Sequence, residues 1–435
     1  MNRADTQIIL LADAPNALVE LCGITLLERL LRILQRLDAT RALVISATPG
    51  AIRGELARRS WPREKITVDI ATREAGAVAG ETLIQNLSDT AQRHLVIPGA
   101  IYCDARLLAA LYESDVSAVL IDSLVPPTAQ SLVETLPQAT RGKLCGPALL
   151  TRDSLSMLSS TAPFFDQLRD WADNGKIGVI DAATQPDYIV SMRRHLRPLC
   201  FSAPDPEQAD LAERLVLNTG QNGTLDLPAY LHAPIETWII SRLCWTRVSP
   251  NQITLAGLLF GSAATWAFAT GHVALGAIIA LIFGLIDGLD GKQARVKIET
   301  TPKGKWEHQL DIVIEYSWWT ALAYYLSASG QLPSAFYFLA LLLGSDLANR
   351  ESKRRAKIAT GRLLDDLTPF DRIFRLVSGR RNVYVWILVG SVLFGVVPRA
   401  YIAICLWAGL SAVVHLARWA AISRAHRGLG SQVGI

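Results

Sequence analysis

Leu285-Ile286-Asp287-Gly288-Leu289-Asp290-Gly291-Lys292-Gln293-Ala294-Arg295 ends an apolar run that starts near residue 271. The run is long enough to cross a bilayer, which takes about 20 apolar residues, and it turns charged only in its last turns. At 100° per residue Asp287, Asp290, Gly291 and Ala294 share one helical face. On the next apolar stretch Asp311 and Glu315, four apart, also share a face. Two facing pairs of carboxylates result. Ionised acids beside lipid cost about 2.5–3.5 kcal/mol each even on a lenient insertion scale, so they need partners. Divalent cations answer that need: hard oxygen donors suit Mg2+ or Mn2+, and two such ions can clamp a diphosphate. Gly288, Gly291 and Ala294 leave the helix surface bare, which would let a flat nucleotide approach the backbone.

Working outward, six apolar stretches are candidate spans: 252–269, 271–289, 310–328, 333–349, 382–398 and 400–420. Lys292, Arg295, Lys297, Lys303 and Lys305 follow the second, and the segment after the fourth carries Lys353, Arg354, Arg355, Lys357, Arg372, Arg375, Arg380 and Arg381. The loops after the first, third and fifth hold little but Arg399. Positive-inside bias therefore places both termini in the cytoplasm of a multi-pass protein of the cell (inner) membrane, in contact with membrane lipids. Before the first stretch, residues 231–248 put Ile235, Trp238, Ile239 and Leu243 on one face with Arg242 and Arg247 near the end, the pattern of an amphipathic helix lying in the membrane interface.

The first half of the 435-residue chain is different. TQIILLA (6–12), RALVISA (41–47), KITVDIA (65–71), RHLVIPGA (93–100) and SAVLIDS (117–123) read as buried strands. Leu26, Leu27, Leu30, Leu31, Ile33, Leu34 and Leu37 recur at helical spacing between the first two, and DARLLAALYE (104–113) is a further helix. This β-α-β order predicts an α/β doubly wound sheet over residues 1–202, joined by a polar linker, 203–230, to an all-α polytopic membrane domain of six helices, 231–435. The net charge of +4 is small, and the Lys and Arg residues gather at the ends of apolar stretches, which fits a membrane surface and not a nucleic-acid groove. The six cysteines show no CxxC spacing and are expected to be reduced and structural. The apolar run at the N-terminus is too short for a secretory signal.

The order of elements in residues 1–190 resembles the nucleotidyltransferase fold of sugar-phosphate and inositol-phosphate cytidylyltransferases. That family holds a triphosphate with a Gly-rich basic loop after the first strand. Here Ala12-Asp13-Ala14-Pro15-Asn16-Ala17-Leu18-Val19-Glu20 has no glycine and no cation, and Ile97-Pro98-Gly99-Ala100-Ile101 stands where a metal-binding Asp is expected. An inactive, structural or regulatory domain is the expectation, with Asp104 and Asp122 as solvated acids at strand ends.

The membrane half resembles the CDP-alcohol phosphotransferases, whose signature runs Asp, two residues, Asp-Gly, two residues, Ala-Arg, then a spacer, Gly, three residues, Asp, three residues, Asp. Asp287, Asp290, Gly291, Ala294 and Arg295 match. With the usual spacer Gly304 takes the glycine position, but His308 and Ile312 fall on the two acids. Three extra residues restore the acid spacing with Asp311 and Glu315, and Glu307 replaces the glycine. Ser249-Pro250-Asn251-Gln252-Ile253-Thr254 resembles the segment before that family's first helix. The resemblance implies Asp287, Asp290, Asp311 and Glu315 as ligands of two Mg2+ or Mn2+ ions, with Asp311 and Glu315 catalytic and Glu315 the general base. It also implies Gly291, Ala294, Arg295 and Asp290 at the cytidine diphosphate. A substituted phosphate would pass from a CDP-alcohol donor, CDP-inositol-like or CDP-diacylglycerol, to an alcohol acceptor with release of CMP. Fusion of the two halves is similar to bifunctional enzymes that make CDP-inositol and pass it to inositol phosphate, which favours a phosphorylated polyol as acceptor; a homodimer is among the assemblies it allows. Arg372, Arg375, Arg380 and Arg381 read first as headgroup anchors and second as a grip on that phosphate. The competing readings are an inactive scaffold of the same fold and an ion-coupled transporter using Asp346.

Overall fold

The computed structural model describes residues 5–58, 60–74, 79–299 and 304–430, the side chains at 79, 304–308 and 425–430 apart. Lys303 and the side chains of Lys305, Glu307 and His308 lie outside the described residues. The chain divides into two compact units: residues 1–187, 196–219 and 296–298 form the first, and 188–195, 220–295 and 299–435 the second.

In the first unit the strands β1 (Thr6–Leu11), β2 (Arg41–Ser46), β3 (Thr67–Thr72), β4 (Arg93–Pro98), β5 (Ala118–Asp122), β6 (Gly142–Thr151) and β7 (Gly178–Asp181) line up in the order β7-β5-β6-β4-β1-β2-β3. β1 runs parallel to β2 and β4, and β7 to β5, but β6 is antiparallel to both its neighbours. The sheet is therefore mixed, not wholly parallel. β6 was hidden in the sequence because its pairing with β5 shifts register between Leu144 and Ala148, around Gly146-Pro147, so its alternation breaks where a strand would announce itself. The helix α1 (Leu26–Arg36) starts at Thr25, whose side chain accepts the Glu28 N–H, and buries its leucines. Ile9, Val96, Val119, Ile121, Leu150, Phe164, Leu168 and Trp171 form a core between the sheet and α3 (Phe164–Asp173), α2 being Ala105–Tyr112. Within the expected linker, Ala209–Thr219 is a helix, α4, assigned to the first unit.

The second unit is helical: α5 (Leu227–Leu243), α6 (Pro250–Ala269), α7 (Val273–Val296), α8 (Gly304–Ala328), α9 (Ala335–Thr360), α10 (Pro369–Val377), α11 (Arg381–Leu393) and α12 (Val397–Gly430). Ser249 and Gln252 form a capping box with Pro250 at the first helical position, which explains why α6 begins where Ser-Pro-Asn-Gln stands. The core joins Phe268, Phe283, Trp318, Trp319, Leu322, Leu388, Tyr401 and Ile404. Outward, Leu255, Leu259, Trp266, Ile278, Leu406 and Val413 are exposed, an apolar rim suited to lipid. All six apolar stretches are helical. Among the described residues, Pro250–Ala269, Val273–Val296 and Val397–Arg424 are long and apolar enough to cross a membrane. α11 differs from the expected 382–398: it stops at Leu393, before Gly395 in the left-handed region (φ 67°). Its 13 residues cover about 20 Å at 1.5 Å per residue, against a hydrocarbon thickness of about 30 Å.

Candidate active site

The second unit holds an open cavity of about 520 Å³. α7 supplies Asp287, α8 supplies Asp311 and Glu315 one turn apart, and α9 supplies Asp346, Arg350 and Lys353 at one-turn spacing. The start of α11 adds Arg380, Arg381 and Asn382, and Asp226, which caps α5 through the Ala229 N–H, closes the lining.

The charges pair across helices. Arg381 Nη2 lies 2.5 Å from Asp287 Oδ2, and its guanidinium stands 4.9 Å from the Phe283 ring centre. The carboxyl groups of Asp287 and Asp311 line the same cavity. Such a pair repels unless a proton or cation stands between them. Arg350 bonds Asp346 at 2.5 Å and approaches Glu315 at 3.8 Å, while the Tyr316 hydroxyl donates to Asp346 at 2.7 Å. Lys353 reaches Asp365 at 3.2 Å. Asp365 also holds Arg375 and lies 3.5 Å from Arg380. Burial alone would push Asp365 up; Lys353, Arg380 and Arg375 outweigh it and hold the carboxyl well below the usual range. Burial pushes Arg375 down to about 9.

Three of the four acids expected from the sequence thus face one cavity. The fourth, Asp290, lies outside its lining: the Thr254 hydroxyl donates to it at 2.7 Å and the Gly291 N–H at 2.5 Å. Ala294 is buried, Gly291 is covered by the Arg295 guanidinium, and Arg295 Nε donates to the Gly220 carbonyl at 2.8 Å. The bare surface expected at Gly288 is taken: a Cβ there would sit 2.4 Å from Glu236 Oε1, because α5 packs Glu236 against α7 and pairs it with Lys292 at 3.0 Å. On α5, Ile235 and Trp238 are exposed while His232, Glu236 and Ile240 are buried. Arg380 and Arg381 face the cavity, whereas Arg375 donates to the Thr224 carbonyl at 2.8 Å and Arg372 pairs with Asp366 at 2.6 Å. Sequence reading missed Asp226, Arg350, Lys353 and Asn382. The 346, 350, 353 spacing was the signal available, one polar face on an otherwise apolar helix.

The oxygen-only donor set suits a hard divalent cation. In this arrangement Arg381 serves as counter-charge to Asp287, and among the described residues no three His, Cys, Asp or Glu groups converge as a metal cluster.

In the first unit, at the strand ends where a phosphate loop was expected to be missing, Asp13 accepts from the Ala47 N–H at 2.6 Å, from the Ser46 hydroxyl at 3.2 Å, and pairs with Arg73. Asp104 caps α2 and pairs with Arg106 at 2.8 Å. Asp122 is buried and paired with Arg197, not solvated as expected, because the chain after residue 195 returns across the strand end.

Residues 247–350 match the family model described as CDP-alcohol phosphatidyltransferase. A bifunctional IPC transferase and DIPP synthase of Aquifex aeolicus (strain VF5) is 26% identical over 215 residues, 48% of each chain. A protein of the same description from Thermococcus kodakarensis is 32% identical over 156 residues, 34% of each chain. The chain thus spans about half the length, or less, of the curated relatives it matches. Among solved structures, HddC from Yersinia pseudotuberculosis aligns with 48% of this chain and 98% of its own, at 13% identity and a TM-score of 0.34.

Proposed function

We propose, from the CDP-alcohol phosphatidyltransferase domain carried by the C-terminal region, that this membrane protein is a phosphotransferase moving a substituted phosphate from a CDP-alcohol to an alcohol acceptor, with CMP released. The observation that carries it is the cavity in which Asp287, Asp311 and Glu315, singled out by their spacing, meet a row of cations. Asp287, Asp290, Asp311 and Glu315 would hold two Mg2+ or Mn2+ ions, which when bound neutralise the charge of the diphosphate.

The protein's own groups do the rest. Glu315 takes the proton of the acceptor hydroxyl; that oxygen bonds to the β-phosphorus, the bond to the CMP oxygen breaks, and CMP departs. Arg350, Lys353 and Arg380 line the same cavity and supply positive charge, which supports a phosphorylated polyol as acceptor. The donor is CDP-inositol-like or CDP-diacylglycerol. Six spans with both ends in the cytoplasm, and α5 lying in the interface with Ile235 and Trp238 toward lipid, complete the reading. The first unit takes no part in nucleotidyl transfer.

A second reading, an inactive member serving as a scaffold, is favoured by the Arg381–Asp287 pair, which places a fixed cation where a metal ligand is required. One experiment separates the two. Protein purified in detergent and incubated with CDP-alcohols and polyol phosphates should release CMP in the presence of Mg2+ or Mn2+. Asp287→Asn should abolish release while the protein stays folded, and full activity in EDTA would overturn the metal-dependent reading.

A further inference from the structure

Strands Ile101–Cys103 and Cys200–Ser202 form a small antiparallel ladder in the first unit, with Cys103 directly opposite Cys200. The Asp104 N–H donates to the Leu199 carbonyl at 2.9 Å, and the Ala203 N–H to the Ala100 carbonyl at 2.8 Å. These bonds bracket Cys103 and Cys200 and make them a non-hydrogen-bonded pair, the kind whose Cα atoms lie about 4.5 Å apart. That spacing falls inside the range a disulfide spans. A third thiol, Cys145, lies beside Cys200, whose Sγ donates to the Cys145 carbonyl at 3.9 Å. All three are buried.

We propose that Cys103 and Cys200 are a dithiol that a small-molecule disulfide converts into a cross-strand disulfide. One cysteine, as thiolate, attacks a sulfur of the small disulfide and expels one thiolate. The second cysteine then attacks the protein sulfur of the mixed disulfide and expels the other. Two electrons pass to the small disulfide, the two cysteine protons end on the two released thiols, and one protein S–S bond forms. The bond would tie the strand with which the chain re-enters the first unit, after residues 188–195, to the strand Ile101–Cys103. Burial pushes the Cys103 thiol up, and the hydrogen bond with Cys103, followed by burial, pushes Cys200 up. Closure is therefore slow near neutrality and quickens as pH rises, because only the thiolate attacks.

The test uses the full chain in detergent, reduced and then exposed to oxidised glutathione. Before alkylation the mass of the chain should be lower by two hydrogens, and after denaturation and alkylation peptide mapping should find Cys103 and Cys200 joined. The rate should rise about tenfold per pH unit between pH 7 and 9. Cys145→Ser should still close, and the double variant Cys103→Ser/Cys145→Ser should leave Cys200 able to form only a glutathione adduct. Full alkylation of both residues in the wild-type chain, a link that runs to Cys145, or adducts that persist without closing would overturn the proposal, and the wild-type map decides even where a variant fails to fold.

Discussion

Glu315 lies one turn beyond Asp311 on α8, buried, with the Arg350 guanidinium 3.8 Å away. Replacing its carboxylate by an amide keeps the shape and removes the base. Glu315→Gln should therefore bind donor normally yet lose about 10²- to 10⁴-fold in CMP release, the usual loss for a general base, and unchanged turnover would refute the assignment. Glu315→Asp should also be slower, since a shortened side chain withdraws the carboxylate by about an ångström. At this scale the acids were legible because Asp287 with Asp290, and Asp311 with Glu315, stand at helical spacing in apolar surroundings. Arg380 and Arg381 were read first as headgroup anchors and only second as a grip on phosphate, because they stand at the cap of α11, where no periodicity marks which way a side chain points.

Among elements, the approach of α8 to α6 depends on Gly261. The Trp318 indole donates to its carbonyl at 2.7 Å, and a Cβ there would lie 2.5 Å from Ile314 Cγ2 and 3.1 Å from the Phe283 ring. Gly261→Ala should cost about 1–3 kcal/mol through overpacking, seen as a lower thermal midpoint in detergent. Gly344→Ala, on α9 with nothing within 4 Å of the added carbon, should leave the midpoint unchanged or raise it. A midpoint for Gly261→Ala equal to wild type would contradict this packing. Helices of the second unit were legible from apolar length, and the start of α6 from its Ser-Pro-Asn-Gln cap. The strand β6 was not, since a bulge erases the period that reveals a strand, and α11 ran short because Gly395 ends what looked like one apolar run.

For the whole molecule, the first unit keeps an α/β sheet while its strand ends hold an internal ion pair. Asp13 is satisfied by Arg73 and by the Ala47 N–H, so a triphosphate arriving there meets a carboxylate already in place. The full chain given CTP, Mg2+ and inositol phosphate should release no pyrophosphate; robust release would overturn the inactive reading. The division into a sheet-bearing half and a helical half was legible in where charge gives way to apolar runs. The allotment of residues 188–195 and 220–230 to the helical unit was not, because composition carries no record of which unit a polar segment packs on.

The cavity lining sets Asp226, Asp287, Asp311, Glu315 and Asp346 against Arg350, Lys353, Arg380 and Arg381. Charges so nearly cancelled within one small volume project little potential beyond a Debye length, about 8 Å at physiological ionic strength. An anionic nucleotide is thus neither drawn in nor turned away at a distance. Selection happens at contact, where a guest must break protein ion pairs and offer replacements for both signs at once, and a molecule carrying only phosphate, or only cation, leaves half of the lining uncompensated.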